Sequence, residues 1–430
     1  MPGRIPGQPA PPPLPQRALS PRKPPPESPL FDEIVFAPDR ERIPGALPVV
    51  SCGEGDEPAY LEAITAVETR RVELSRRGVD HGTWAELDLS ASGLAARPPL
   101  DEGVARLRWE ADRPLLLHGV ARGVAAAAGA SGLELGRRLA SPEALGSWLE
   151  ECTALLPEGL TPGAELGDED ERTLARVGLE SATGPAPWLK CGWLSTHEGE
   201  DSLRLRVSAG EEVRDDASDD ELAHAAVART AEALLPGARQ LGLLRELVAP
   251  LEALLEAPSL LTQHIAYWNA PGGGALLHHD AFDAPENGGQ RAVVYTQLAG
   301  CTAWLALALT DLADRVGEFC EHLAEGEVEW LRKELCPDRR DLDRWLARTR
   351  SRAAFEAELA EPGQGRFGAL IGHPEFTAFL ADCGHALLVE AGDALVLPSH
   401  GLTRCALHSV WCASDGPTYA LSAALRQRRD

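Results

Sequence analysis

The stretch Ala270-Pro271-Gly272-Gly273-Gly274-Ala275-Leu276-Leu277-His278-His279-Asp280 carries the most chemistry in this 430-residue chain. Side chains in a strand alternate between faces, so His278 and Asp280 in a strand share one face. An imidazole beside a carboxylate supplies two of the three ligands of a facial triad, which leaves positions open on Fe(II). A third ligand has to come from a distant strand folded back alongside.

Two histidines near the end are candidates. Gly392-Asp393-Ala394-Leu395-Val396-Leu397-Pro398-Ser399-His400 is a turn entering an apolar strand, and it is followed by Leu407-His408-Ser409-Val410. His408 falls in an alternating segment with Ala406 and Val410 on its face, whereas His400 follows Pro398-Ser399 and reads as a loop residue. His408 is the favoured ligand and His400 the alternative. His279 reads as a packing or solvent-side residue and Asp283 as a loop acceptor or a partner of a ligand.

The elements that must position these groups divide the chain into three zones. Residues 1–30, rich in proline, read as a disordered tail without the apolar core of a secretory signal. Residues 31–255 are rich in Ala, Leu, Glu and Arg and read as mostly helical, with helices over Ser141–Leu156, Asp219–Leu235 and Ala238–Leu255. Residues 256–430 read as a β-domain. Its strands are Gln263–Trp268, Arg291–Leu298, Thr302–Leu309, Ala386–Glu390, Ala394–Leu397, Cys405–Cys412 and Thr418–Leu425, interrupted by a helical insertion at about 311–380. Trp268 and Trp304 read as core residues. The fold class is α+β.

The run from Gln263 to Leu307 resembles the Jumonji-C and cupin-type Fe(II)/2-oxoglutarate oxygenases, nearest to the branch of bacterial ribosomal-protein hydroxylases. The resemblance rests on Tyr267-Trp268, Ala270–Gly274, His278 with Asp280, Asp283, Gln297-Leu298-Ala299-Gly300 and Trp304, and continues in Gly392–Leu397 and Leu407–Val410. It implies a double-stranded β-helix, a jelly-roll of the cupin type. It also implies Fe(II), with 2-oxoglutarate and dioxygen as co-substrates, and hydroxylation of a peptide, a protein side chain or a small metabolite. The chain departs from the family at one informative place. The Lys or Arg that pairs with the distal carboxylate of 2-oxoglutarate would align with Thr302, which cannot form an ion pair. Arg291 is the substitute cation on this reading, with Tyr295 or Tyr267 adding hydrogen bonds. The departure keeps two other functions open: a cupin-type dioxygenase or isomerase without 2-oxoglutarate, and a degenerate barrel that only binds.

Charge narrows the partners. With 66 acidic against 41 basic residues the formal net charge is −25, which repels phosphate backbones and argues against nucleic acid as partner. No apolar run reaches the roughly 20 residues that span a bilayer. Nine cysteines without a Cys-x-x-Cys pair suit reduced thiols in a cytoplasm better than disulfides or a zinc-thiolate site. A homodimer formed through the helical region is a further expectation.

Overall fold

The structure is a computed structural model that describes residues 85–88, 102–140, 144–166, 173–182, 184–193, 202–211, 220–269, 274–282, 289–324, 338–351, 385–414 and 416–428, with single positions between them. The first described elements are β1 (Ala85–Asp88), α1 (Glu102–Glu110), β2 (Leu115–His118), α2 (Arg122–Leu139) and α3 (Ala144–Glu151). Four strands follow: β3 (Leu160–Leu166), β4 (Thr173–Ser181), β5 (Trp188–Trp193) and β6 (Ser202–Ser208). Three helices come next: α4 (Glu221–Leu234), α5 (Ala238–Leu243) and α6 (Arg245–Leu255). Then come β7 (Ser259–Asn269), β8 (Gly274–His278), β9 (Gln290–Ala299) and β10 (Cys301–Ala308), and the helices α7 (Leu309–Ala324) and α8 (Arg339–Thr349). The last strands are β11 (Ala386–Glu390), β12 (Ala394–Pro398), β13 (Ala406–Cys412) and β14 (Tyr419–Gln427).

Two sheets face each other. Among the described residues, one has ten strands in the order β1-β2-β12-β9-β14-β7-β6-β5-β4-β3, and the other has four in the order β11-β10-β13-β8. The pairings are antiparallel except β1 with β2. The period-two pattern of β10 shows why the sheets face. Trp304 and Ala306 pack between the sheets with Tyr295, Leu395 and Ala406. Ala303, Leu305 and Leu307 point the other way, onto α7 and the rest of the insertion. The outer face of the large sheet is covered by α2, α3 and the helices after β6.

Between residues 31 and 255 the structure departs from the mostly helical expectation. Residues 160–208 form four antiparallel strands that join the same sheet as β7, so the sheet crosses the expected boundary at 256. The composition there suggested helices, but the alternation in Ser-Leu-Arg-Leu-Arg-Val-Ser over 202–208 decides: Leu203, Leu205 and Val207 are fully buried on one face. The helices over Asp219–Leu235 and Ala238–Leu255 are present, the second broken at Leu244 into α5 and α6. Asp220 caps α4, its carboxylate accepting from Leu222 N and Ala223 N. The expected tail at 1–30 lies outside the described residues.

Two close approaches hold the C-terminal strands to the segment before them. Asp393 is buried in the turn entering β12 and accepts from Gly119 N at 2.7 Å and Glu390 N at 2.9 Å. His118 Nδ1 lies 2.9 Å from the same carboxylate. The turn needs Gly392, whose φ of 102° is in the region that side chains with a Cβ avoid. On the outer face, α2 lies so close to β7 and β14 that a Cβ on Gly132 would stand 2.0 Å from the Tyr419 ring. Trp268 stacks on Tyr419 with ring centroids 5.7 Å apart and donates from Nε1 to Gly132 O at 2.7 Å.

Candidate metal centre

β8 and β13 are adjacent antiparallel strands, and His278 is directly opposite His408 in their register. Directly opposed side chains in such a pair start about 5 Å apart, and here the two imidazole centroids are 4.4 Å apart. β8 ends at His278, so Asp280 extends from the first residues beyond the strand. Its carboxylate still turns back: Oδ1 lies 3.8 Å from His278 Nε2, and Oδ2 lies 3.4 Å from His408 Nε2. One ligand atom from each of the three residues lies within 4.8 Å of the others, so the group could hold a metal ion.

Exposure is uneven in a useful way. The side chains of His278 and Asp280 are 42% and 40% exposed, whereas that of His408 is 5% exposed. Burial first, then the neighbouring His278, pushes the pKa of His408 down to about 4, against the opposing pull of Asp280. His408 is therefore a neutral imidazole at ordinary pH, the form that coordinates a metal. Trp304 lies beside it, with ring centroids 5.6 Å apart, and fills the space between the sheets.

His400 is placed elsewhere. Its Nδ1 lies 2.6 Å from Asp112 Oδ1, and its ring meets the edge of Trp109 at 4.9 Å. Arg404 donates to the same Asp112 at 3.2 and 3.3 Å. This cluster ties the loop between β12 and β13 to the turn after α1. His279 lines the cavity beside the three grouped residues, and its Nδ1 accepts from Ala281 N at 3.3 Å. Asp283 lies outside the described residues.

The group opens onto a cavity of about 660 Å³, within the range of small-molecule sites. Of the expected co-substrate residues, Tyr267 and Tyr295 line it, while Thr302 and Arg291 do not. Thr302 is fully buried and bound on two sides, accepting from Trp304 Nε1 and donating to Gln297 Oε1, each at 2.8 Å. The Tyr295 hydroxyl donates to the same Gln297 oxygen at 2.9 Å. Arg291 is exposed at the edge of β9. Tyr267 has its pKa raised to about 12, by burial first and then by Asp280, with Arg204, Ser422 and Arg206 acting the other way.

The cations of the cavity come from the strands that composition concealed. Arg176 on β4, Lys190 on β5, and Arg204 and Arg206 on β6 all line it. Alternation in Leu203-Arg204-Leu205-Arg206-Val207 was the signal that could have found two of them. None of the described residues of the insertion between β10 and β11 lines the cavity; α7 and α8 pack on the far face of the small sheet.

No protein-family model matches this chain, and no curated protein matches it in sequence. Among solved structures, it is similar to the non-heme alpha ketoglutarate dependent epimerase SnoN from nogalamycin biosynthesis, at 12% identity over 76% of this chain and 82% of that one. The TM-score of that superposition is 0.29. Among the described residues no helix is long and apolar enough to cross a membrane.

Proposed function

We propose that this chain is an Fe(II)-dependent oxygenase that uses 2-oxoglutarate, with His278, Asp280 and His408 as the iron ligands. The observation that carries the reading is the convergence of two imidazoles and one carboxylate on one side of a cavity. Two histidines and a carboxylate with open positions are the ligand set of non-haem Fe(II) oxygenases. The strand order supports the same reading. From β7 to β14 the strands divide between two layers, β7, β9, β12 and β14 in the large sheet and β8, β10, β11 and β13 in the small one, which is what the double-stranded β-helix of this reading requires.

The donor set fits iron. His408 is buried and neutral beside Trp304 and His278, and the exposed faces of His278 and Asp280 leave room for co-substrate and substrate. When bound, the iron would activate dioxygen at the expense of 2-oxoglutarate so that a C–H bond of the substrate is oxidised. The protein's share is to fix the ligands, to exclude water behind Trp304 and Tyr295, and to orient what enters.

The anchor for 2-oxoglutarate on this reading is Arg204. Thr302 is an uncharged residue already engaged with Gln297 and Trp304, and Arg291 is outside the cavity. Arg204 is directly opposite Tyr267 in the register of β6 and β7 and faces the same cavity. An arginine offers a planar pair of donors matched to a carboxylate.

Anaerobic Fe(II) titration followed by aerobic succinate release tests the proposal. One equivalent of metal and 2-oxoglutarate-dependent succinate are expected, and Arg204→Gln should raise the KM for 2-oxoglutarate on the order of 100-fold. Metal uptake without 2-oxoglutarate binding would instead favour a cupin-type dioxygenase or isomerase. Absence of metal uptake would leave the barrel as a binding module.

A further inference from the structure

We infer that the wall built by β4, β5 and β6 grips the substrate through a compact, multiply charged anionic group, and that Arg176, Lys190 and Arg206 select it. This inference rests on the oxygenase reading only for what then happens to the bound molecule. Arg176 is opposite Lys190, Lys190 is opposite Arg206, and Arg206 is opposite Ile265, so the four residues form one cross-strand row. All four line the cavity. Adjacent strands are about 4.8 Å apart, so the three cations start along a line of roughly 10 Å.

Directly opposed like charges on one sheet face repel each other. Glu211 meets this row at its outer end through Arg176. Among the described lining residues the other carboxylate is Asp280, which belongs to the metal centre. Four cations therefore accompany two carboxylates among the described lining residues. Arg206 is 8% exposed, so its side chain is held within the wall rather than swinging in solvent.

One dicarboxylate does not account for the row. Arg204 lies two residues along β6 from Arg206, about 6.6 Å away, level with Tyr267 rather than with Lys190. The row therefore offers a second anionic subsite. A cavity of about 660 Å³ suits a small molecule. A phosphate ester and a tricarboxylate share the chemistry this row would recognise.

Calorimetric titration of the full chain with inorganic pyrophosphate and, separately, with tricarballylate tests the inference, with and without Mn(II) and 2-oxoglutarate. At least one anion should bind, and whichever binds more tightly identifies the source. Lys190→Ala and Arg206→Ala should each weaken that binding at least 10-fold, Lys190→Arg should restore it, and Arg291→Ala should leave it unchanged. The affinity of Lys190→Ala for 2-oxoglutarate should stay within about twofold of the parent. Binding of neither anion, or binding indifferent to Lys190 and Arg206, would overturn the inference. Parallel loss of 2-oxoglutarate in Lys190→Ala would also overturn it by giving the row to the co-substrate. Anion binding by a chain that takes up no metal would strike the oxygenase reading alone.

Discussion

His408 and His400 lie eight residues apart and have opposite surroundings. His408 faces His278 across the β8–β13 pair, with Asp280 against its Nε2. His400 is fixed by Asp112 and Trp109, outside the cavity. On the proposed reading His408 is one of three ligands, and removing a ligand costs more than the 10- to 100-fold typical of losing a ligand's own hydrogen-bond partner. His408→Ala should therefore weaken Fe(II) binding by more than about 100-fold while the fold persists. His400→Ala should lower the thermal midpoint and leave metal affinity within a few-fold. Metal titration and thermal unfolding of the two variants check this, and the reverse pattern would reassign the third ligand. The strand alternation around His408 was readable from its neighbours alone. The partnership of His400 with Asp112 was not, because the two are 288 positions apart.

Elements meet here through small residues and through register. α2 presents Gly129, Gly132 and Gly136 to the sheet, where the rings of Tyr419 and Trp268 occupy the space a Cβ would take at the last two. Gly132→Ala should push helix from sheet at a cost of about 1–3 kcal/mol, the usual penalty of overpacking. That outweighs the roughly 1 kcal/mol that alanine contributes inside a helix. Gly123 on the same helix has nothing within 4 Å of an added Cβ, so Gly123→Ala is the control that should be neutral or stabilising. Thermal midpoints of the two variants decide it, and equal midpoints would mean the helix yields without cost. The strands of the C-terminal half were legible because their alternation is strong, as in β10 and β13. β4 to β6 alternate equally well, but their Ala, Leu and Arg content reads as helix until their partners are known.

At the scale of the molecule, several imidazoles are buried within the acidic chain. Burial pushes His264 and His385 down to a pKa of about 4 from 6.5. The folded chain leaves them neutral where the unfolded chain takes up protons, so stability is full above pH 6.5 and is lost as pH falls toward 4. At pH 5 each such imidazole favours unfolding by about 2 kcal/mol relative to neutral pH. The thermal midpoint should fall between pH 7 and pH 5, and less steeply in His264→Gln; an equal fall in that variant would exclude His264 as a contributor. The sequence by itself kept His278 and Asp280 within reach of each other, because two residues of separation suffice even though Asp280 lies beyond the end of β8. It also determined the alternating faces of the strands, since side-chain direction is a local property of extended backbone. Only the tertiary structure decided that β6 lies beside β7, which brings Arg204 level with Tyr267 and sets basic side chains in the same cavity as His278, Asp280 and His408. Strand partners separated by some 60 residues are chosen by which apolar faces can be covered together, and that choice belongs to the whole chain.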